Sequence, residues 1–245
     1  MDTRDKGVDA AEATASDMRD ARIIAFVSPK GGGGKTTLAI LLASEFAHGG
    51  LSVRVLDADP QGSALLWQKR SRDAGAAMTG LEVTPIKDAA ELGGALQGGI
   101  DADVILVDIQ GTANETLAVA VGYADLVLIP TRASLFDCVQ ADALVNFLKA
   151  MRGRGHDVPY RVVFNAVEGI ETTQVSFEEA VRFVMTQKLD VMTTVIRSRS
   201  TYKKVTNGHG MLRNLIGGEK APANALDESL RFANEVTEII AGAAP

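Results

Sequence analysis

The sequence contains a single cysteine, Cys138, among its 245 residues. One cysteine excludes an intrachain disulfide and any metal site built only from the cysteines of one chain. We therefore interpret Cys138 as a small buried hydrophobic residue. Because disulfides and an apolar signal-peptide core are both missing, we expect a cytoplasmic protein.

Long apolar runs are missing as well. No run reaches the ~18 residues that a membrane span needs, although 46% of the residues are hydrophobic and 23% are charged. These proportions supply ample material for a globular core. The N-terminal residues are polar and mixed in charge, so we expect a flexible tail over residues 1–21 and a single domain over residues 22–245.

The net charge of −6 is spread unevenly along the chain. Residues 197–220 hold six basic residues and one acidic residue, a local charge of +5, which leaves −11 for the remainder. Charged runs are usually solvated faces, but a basic segment on an acidic body also suits contact with nucleic-acid phosphates. The candidate DNA contacts are Arg197, Arg199, Lys203, Lys204 and Arg213.

Short apolar runs alternate with helical patterns along the chain. Several runs are apolar nearly throughout, as is typical of parallel strands buried on both faces. The seven predicted strands begin at Ile23, Ser52, Val83, Asp103, Leu126, Arg161 and Val191. The predicted helices span residues 36–48, 63–73, 89–97, 114–122, 137–151, 174–188 and 225–241. This alternation predicts a doubly wound α/β fold, with a mostly parallel sheet flanked by helices and a ligand site at the carboxyl ends of its strands.

The stretch SPKGGGGKTT, residues 28–37, follows a predicted strand and precedes a predicted helix. This is the context that a phosphate-binding P-loop requires. The glycines at 31–34 let backbone N–H groups turn toward phosphate, beside the positive end of the helix. Lys35 is expected to reach the β- and γ-phosphates, and the Thr36 hydroxyl to ligate Mg²⁺. Pro29 departs from the standard motif, and a flexible turn with chance lysines is the less favoured alternative.

A second motif supports the same site. The apolar run DVILVDI carries Asp108 as its second-to-last residue, which is the Walker B arrangement, so Asp108 is expected to hold Mg²⁺ through a water. The alternative is a strand-end aspartate that merely caps the next turn.

With Lys30 included, the glycine loop reads KGGGGKTT and resembles the deviant Walker A box of the ParA/MinD family. LDADPQGS at residues 56–63 and LVLIPTRASLFD at residues 126–137 resemble two later motifs of that family. Residues 193–212 are similar to the C-terminal part of small ParA proteins that lack an N-terminal DNA-binding domain. The resemblance extends from about Arg22 to the C-terminus.

The resemblance implies more than the spacing does. Family members form nucleotide-sandwich dimers with two ATP molecules at the interface, and Lys30 matches the lysine that reaches the partner's ATP. Asp59 matches the residue that positions the attacking water, and Asn165 matches one that reads the adenine edge. The implied catalytic residues are Lys30, Lys35 and Asp59. The implied nucleotide contacts are Gly31, Gly32, Gly33, Gly34, Lys35, Thr36, Thr37, Pro130 and Asn165.

The function implied is that of a ParA-like ATPase that binds DNA non-specifically as an ATP dimer. Hydrolysis of ATP, stimulated by a ParB-like or cargo adaptor protein, would segregate or position a plasmid, a chromosomal locus or a protein complex. The expected cofactors are ATP and Mg²⁺, and the expected location is the nucleoid within the cytoplasm.

Other functions of P-loop proteins stay open to different degrees. A MinD-like membrane-cycling ATPase would need a basic amphipathic terminal helix, but residues 224–245 are acidic, so we expect no membrane contact. GTANETL and HGMLRNL faintly resemble ParA-like proteins that assist conjugative DNA transfer. An iron–sulfur carrier would need two cysteines, a family tyrosine kinase would need a C-terminal tyrosine cluster, and Lys30 disfavours most metabolic ligases.

Overall fold

A computed structural model describes residues 21–29, 31–110, 115–152, 158–168, 175–215 and 220–242. Six strands form a sheet in the order β3-β2-β4-β1-β5-β6, and every neighbouring pair is parallel. The predicted doubly wound α/β fold is therefore confirmed. The strands are β1 (Arg22–Phe26), β2 (Val53–Ala58), β3 (Leu81–Pro85), β4 (Val104–Ile109), β5 (Leu126–Thr131) and β6 (Tyr160–Phe164).

Helices cover both faces of this sheet. Successive side chains of β1 point to opposite faces, so Ile24 and Phe26 pack on one side and Ile23 and Ala25 on the other. The helices are α1 (Lys35–His48), α2 (Ser63–Asp73), α3 (Ala89–Gln97), α4 (Glu115–Tyr123), α5 (Leu135–Arg152), α6 (Val175–Thr186), α7 (Ser200–Thr206) and α8 (Ala223–Gly242). The first core contains residues of α1, α2, α7 and α8, and the second contains residues of α3 to α6.

All seven predicted helices are present, but the seventh predicted strand is wrong. Residues 191–197 make only two isolated bridges, Val162 with Val191 and Val167 with Arg197. Carboxylates on α8 take the place of a strand partner: Glu235 accepts hydrogen bonds from the backbone N–H groups of Thr193 and Thr194, at 2.6 and 2.8 Å. The alternating apolar pattern here reflects packing against the core, without a continuous ladder.

Two elements had no sequence-based prediction. Helix α7 follows the irregular segment, and a short antiparallel hairpin follows α7, formed by β7 (Gly210–Met211) and β8 (Asn214–Leu215). Residues 1–20 of the predicted tail lie outside the described part of the chain, and the single domain over residues 22–245 stays a prediction. Within the described ranges, no helix is long and apolar enough to cross a membrane.

Strand register brings the predicted site residues to one edge. Asp108 on β4 lies beside Phe26 on β1 and beside Asp57 on β2. The loop that follows β1 therefore stands next to two strand-end carboxylates, at the carboxyl edge where ligands of such sheets bind.

Candidate functional site

The glycine loop after β1 has a backbone that other residues would strain. Gly32 and Gly34 adopt φ angles of +79° and +89°, which favour glycine. At Gly33 a Cβ would lie 2.6 Å from the Ser28 hydroxyl oxygen, whereas nothing lies within 4 Å of a Cβ at Gly31. The loop thus packs closely on one side and is open on the other.

Helix α1 begins directly at the end of this loop. The Gly34 carbonyl accepts the first helical hydrogen bond, from the Leu38 N–H at 3.0 Å. Lys35 is the first residue of the helix and is buried. Leu38 to Ala43 are wholly buried under the sheet, so the loop and Lys35 stand on a firmly packed helix whose positive end faces the open side.

A cleft of about 460 Å³ lies on this open side. It is lined by Gly31, Gly32, Gly34, Lys35, Thr36, Thr37, Ile40, Asp59, Gln61, Ser63 and Thr206. A larger cleft of about 830 Å³ lies at the opposite edge, among residues such as Ile23, Asp103 and Asp125. We take the smaller cleft as the candidate site because it occupies the carboxyl edge of the sheet and the N-terminus of α1.

Thr36 and Asp108 meet at the base of the cleft. The Thr36 hydroxyl donates to Asp108 Oδ2 at 2.6 Å, while the buried Oδ1 has no hydrogen-bond partner among the described residues. Burial raises the pKa of Asp108 to about 7, although the Thr36 hydrogen bond opposes the rise. A hydroxyl oxygen beside a carboxylate with a spare oxygen suits a hard cation such as Mg²⁺, and a bound cation would favour the ionised carboxylate.

Two further carboxylates shape the loop after β2. Asp57 accepts a hydrogen bond from the Leu65 N–H at 2.9 Å and a longer one from the Asp59 N–H at 3.4 Å, and burial raises the pKa of its carboxyl group. Asp59 accepts one from the Gln61 N–H at 2.9 Å and lines the cleft. Asp57 therefore holds the start of α2, whereas Asp59 faces the space where a ligand would lie.

Pro130 and Asn165 approach the loop from its other side. Pro130 is buried on β5, and its carbonyl oxygen would lie 3.4 Å from a Cβ at Gly33. The Asn165 amide donates to the Gly33 carbonyl at 3.0 Å. Asn165 thus bonds to the loop backbone, and Pro130 lies beside it.

A family model for the CobQ/CobB/MinD/ParA nucleotide binding domain matches residues 24–212, which include the glycine loop, Asp59, Asp108 and Asn165. The chain belongs to this family. It is 27% identical over 219 residues to Protein ParA of Rhizobium radiobacter, a match that covers 86% of this chain and 94% of that one. It is 25% identical over 229 residues to Protein virC1 of Rhizobium radiobacter, which covers 89% and 95% respectively.

Solved structures agree on the fold. The structure of an ATP complex of a Cyanothece McdA variant superposes with a TM-score of 0.71 at 16% sequence identity, over 91% of this chain and 97% of that chain. At this level of identity, the likeness supports the ParA/MinD fold alone. The roles of individual residues are therefore argued from the geometry of this chain.

The basic segment of this ParA/MinD-family chain contains cations that bind buried carboxylates and cations whose side chains are exposed. Arg199 forms a bidentate salt bridge with buried Glu228, in which Nε donates to Oε1 at 3.1 Å and Nη2 donates to Oε2 at 2.8 Å. Arg213 pairs with buried Glu45 of α1, its Nε donating at 2.9 Å. The exposed members of the predicted DNA-binding set are Arg197, Lys203 and Lys204.

Two features complete the comparison with the sequence-based site. Lys30 lies outside the described residues, so its role stays a prediction. Thr206 of α7 lines the cleft although no motif singled it out. It lies far along the chain from the glycine loop, and only the resemblance of residues 193–212 to small ParA proteins pointed to its neighbourhood.

Proposed function

We propose that the chain is a ParA-like ATPase that hydrolyses ATP to ADP and phosphate with Mg²⁺, at a slow intrinsic rate. The observation that carries this proposal is the Thr36–Asp108 pair, whose spare buried oxygen lies at the base of a cleft lined by the glycine loop and Lys35. Such a site supplies cationic and N–H contacts to phosphates, and phosphoryl transfer depends mainly on positioning and electrostatic stabilisation.

The residues around the cleft have separate proposed roles in phosphate binding, Mg²⁺ binding and positioning of the attacking water. The glycines at 31–34 and the start of α1, with Thr37, hold the phosphates through backbone N–H groups. Lys35 neutralises phosphate charge, and Thr36 with Asp108 holds Mg²⁺. Asp59 orients the attacking water from its place on the cleft. Among the described lining residues no histidine or glutamate faces the cleft to act as a general base, which supports a slow intrinsic rate.

ATP binding is proposed to join two copies of the chain. The resemblance assigns Lys30 to the partner's ATP, where a lysine supplied in trans would stabilise charge on the transferred group. The dimer would then form with ATP and separate after hydrolysis, because the partner's phosphates are the counter-ion of that lysine. The test of this step is the mass of the protein in solution with and without ATP.

The ATP-bound dimer is proposed to bind DNA non-specifically and to position a cargo through an adaptor protein. Protein ParA of Rhizobium radiobacter is similar over most of its length, and Arg197, Lys203 and Lys204 form an exposed cationic face for phosphates. We propose that Arg199 and Arg213 do not contact DNA directly but hold the backbone of this segment in place through their ion pairs with Glu228 and Glu45.

Helix α8 argues against the membrane-cycling alternative. Its apolar side is turned to the core, with Phe232 and Val236 wholly buried. A helix that binds a membrane surface must present that apolar side to lipid. A MinD-like cycle through this helix would therefore require its release from the core.

One binding experiment separates these functions. Electrophoretic mobility shifts with non-specific duplex DNA are measured with ATP, with ADP and without nucleotide, beside pelleting with anionic liposomes under the same conditions. We expect DNA binding only with ATP and no liposome binding. DNA binding that is independent of nucleotide, or ATP-dependent binding to liposomes alone, would contradict the proposal.

A further inference from the structure

The side chain of Asn165 contacts both glycines that precede Lys35. Its Nδ2 donates a hydrogen bond to the Gly33 carbonyl oxygen at 3.0 Å, and the residue is only 4% exposed. A Cβ placed on Gly34 would meet the same amide group. The amide therefore fills the space beside the loop and bonds to its backbone.

Asn165 is itself held by the sheet. It follows β6 directly, and its backbone N–H donates to the Thr131 carbonyl at 2.9 Å. Thr131 ends β5 and lies in register with Phe164, the last residue of β6. The backbone of Asn165 is thus attached to two strand ends, and its side chain joins those strands to the glycine loop.

Because the peptide bond is planar, the contact of Asn165 with the Gly33 carbonyl also fixes the direction of the Gly34 N–H. The Gly33 carbonyl and the Gly34 N–H belong to one planar trans peptide, in which the two bonds point in opposite directions. Since Asn165 holds the carbonyl on its own side, the Gly34 N–H points away from Asn165. Gly34 lines the cleft, so the N–H is turned toward the space that phosphates would occupy.

We propose that Asn165 is a positioning residue that orients the Gly33–Gly34 peptide for polyphosphate. This inference rests on the nucleotide binding proposed above and adds a role that does not involve the base. The resemblance assigns Asn165 to the adenine edge, and the two roles make different demands on the ligand. A contact with adenine needs the base, whereas orientation of the loop needs only the phosphates.

Ligands with and without a base distinguish the two roles. The affinities of the full chain for Mg²⁺-tripolyphosphate and for the imidotriphosphate analogues of ATP and GTP are measured by calorimetry. Asn165→Ala and Asn165→Leu both remove the donor, one by deleting volume and the other by nearly keeping it. Asn234→Ala, an exposed asparagine on α8, is the matched control.

We expect both variants to bind tripolyphosphate about tenfold more weakly, as for the loss of one hydrogen bond that serves a charged ligand. The ATP and GTP analogues should weaken by the same factor, so their affinity ratio stays unchanged. Asn234→Ala should bind all three ligands as the wild type does. Circular dichroism confirms folding, and either folded variant is sufficient because both lack the donor.

Two results separate failure of the inference from failure of the proposed function. If the variants bind tripolyphosphate as tightly as the wild type, or lose affinity only for the ATP analogue, the positioning role is overturned and the adenine role is favoured. If the wild type itself binds no ATP analogue, the proposed ATPase function is overturned instead.

Discussion

The glycine loop and the basic segment both concentrate cations, but the structure uses the cations differently. In the loop region, Lys35 stands at the start of α1 and lines an open cleft. In the basic segment, Arg199 and Arg213 are turned to buried carboxylates, Glu228 and Glu45. Local charge in a sequence therefore does not by itself distinguish a cation that lines an open cleft from one that neutralises a buried carboxylate.

The difference arises from the distance along the chain at which partners lie. Most neighbours of the loop that the sequence indicated are adjacent in sequence or follow from strand order, as Asp108 does. The partner of Arg213 lies 168 residues earlier, on α1, and no pattern in the basic segment indicates it. A buried glutamate needs a cation, so part of the positive charge in this segment balances the interior.

Removal of Lys35 should have the largest effect. For Lys35→Ala we expect about a 1000-fold loss of affinity for the ATP analogue, corresponding to about 4 kcal/mol, because the phosphates lose a largely desolvated charged partner. Calorimetry with Mg²⁺ measures this loss. Lys69→Ala, an exposed lysine on α2, is the control, and equal affinities for both variants would refute the site.

Removal of Glu228 tests whether this buried carboxylate stabilises the basic segment. Glu228 accepts hydrogen bonds from Arg199, Tyr202 and the Arg197 N–H. We expect Glu228→Ala to lower the free energy of unfolding in urea by about 3 kcal/mol, since these donors lose a buried acceptor. The adjacent Asp227 makes an exposed pair with Arg231, so Asp227→Ala should cost about 0.5 kcal/mol or less. Similar losses for the two variants would remove the distinction between buried and exposed ion pairs.

Removal of Asp59 tests the division of roles within the cleft. For Asp59→Ala we expect ATP hydrolysis to fall about 100-fold, as for the loss of a positioned polar group at the reacting water. ATP-dependent dimerisation should persist, because the phosphate contacts remain. Phosphate release and light scattering measure the two properties, with Asp73→Ala at the exposed end of α2 as the control. A variant that stays monomeric with ATP would contradict this role.

Charge reversal at Lys203 should have the smallest effect. It tests whether an exposed cation of the basic segment contacts DNA. For Lys203→Glu we expect about a tenfold loss of DNA affinity at low salt and a shallower dependence on salt, since an exposed phosphate contact is screened. ATP binding should not change. Lys149→Glu, on the exposed side of α5, should leave DNA binding near the wild-type value. If both reversals weaken DNA binding equally, the DNA surface is not confined to this segment.

Helix and strand positions were predictable where local signals decide them. The prediction of a helix over residues 89–97 matches α3 at both ends. Asp88 fixes the first end by accepting the Glu91 N–H at 2.8 Å, and Gly98 follows the last residue. Helix α7 was not predictable in this way. Its neighbourhood is held by contacts with distant residues, among them Arg199 with Glu228 and the Gly210 N–H with Ser71.

In the candidate site, too, some features follow from local sequence signals and others depend on contacts between distant residues. The cleft position of Lys35 and the pairing of Thr36 with Asp108 follow from the order of strand, loop and helix. The contact of Asn165 with Gly33 spans 132 residues and depends on the register of β5 and β6. A sequence pattern indicates which residues reach this edge of the sheet, but it does not indicate whether each of them faces the ligand or the loop.

Trp67, the sole tryptophan of the chain, lies on α2 a few residues after the loop that carries Asp59 and Gln61. It is 1% exposed, and its indole N–H has no hydrogen-bond acceptor among the described residues. An indole in such apolar surroundings fluoresces at short wavelength, and water or a carbonyl brought to it shifts the emission to the red. The protein therefore carries an intrinsic optical probe on α2, whose emission wavelength would report a change in the surroundings of this helix without any added label.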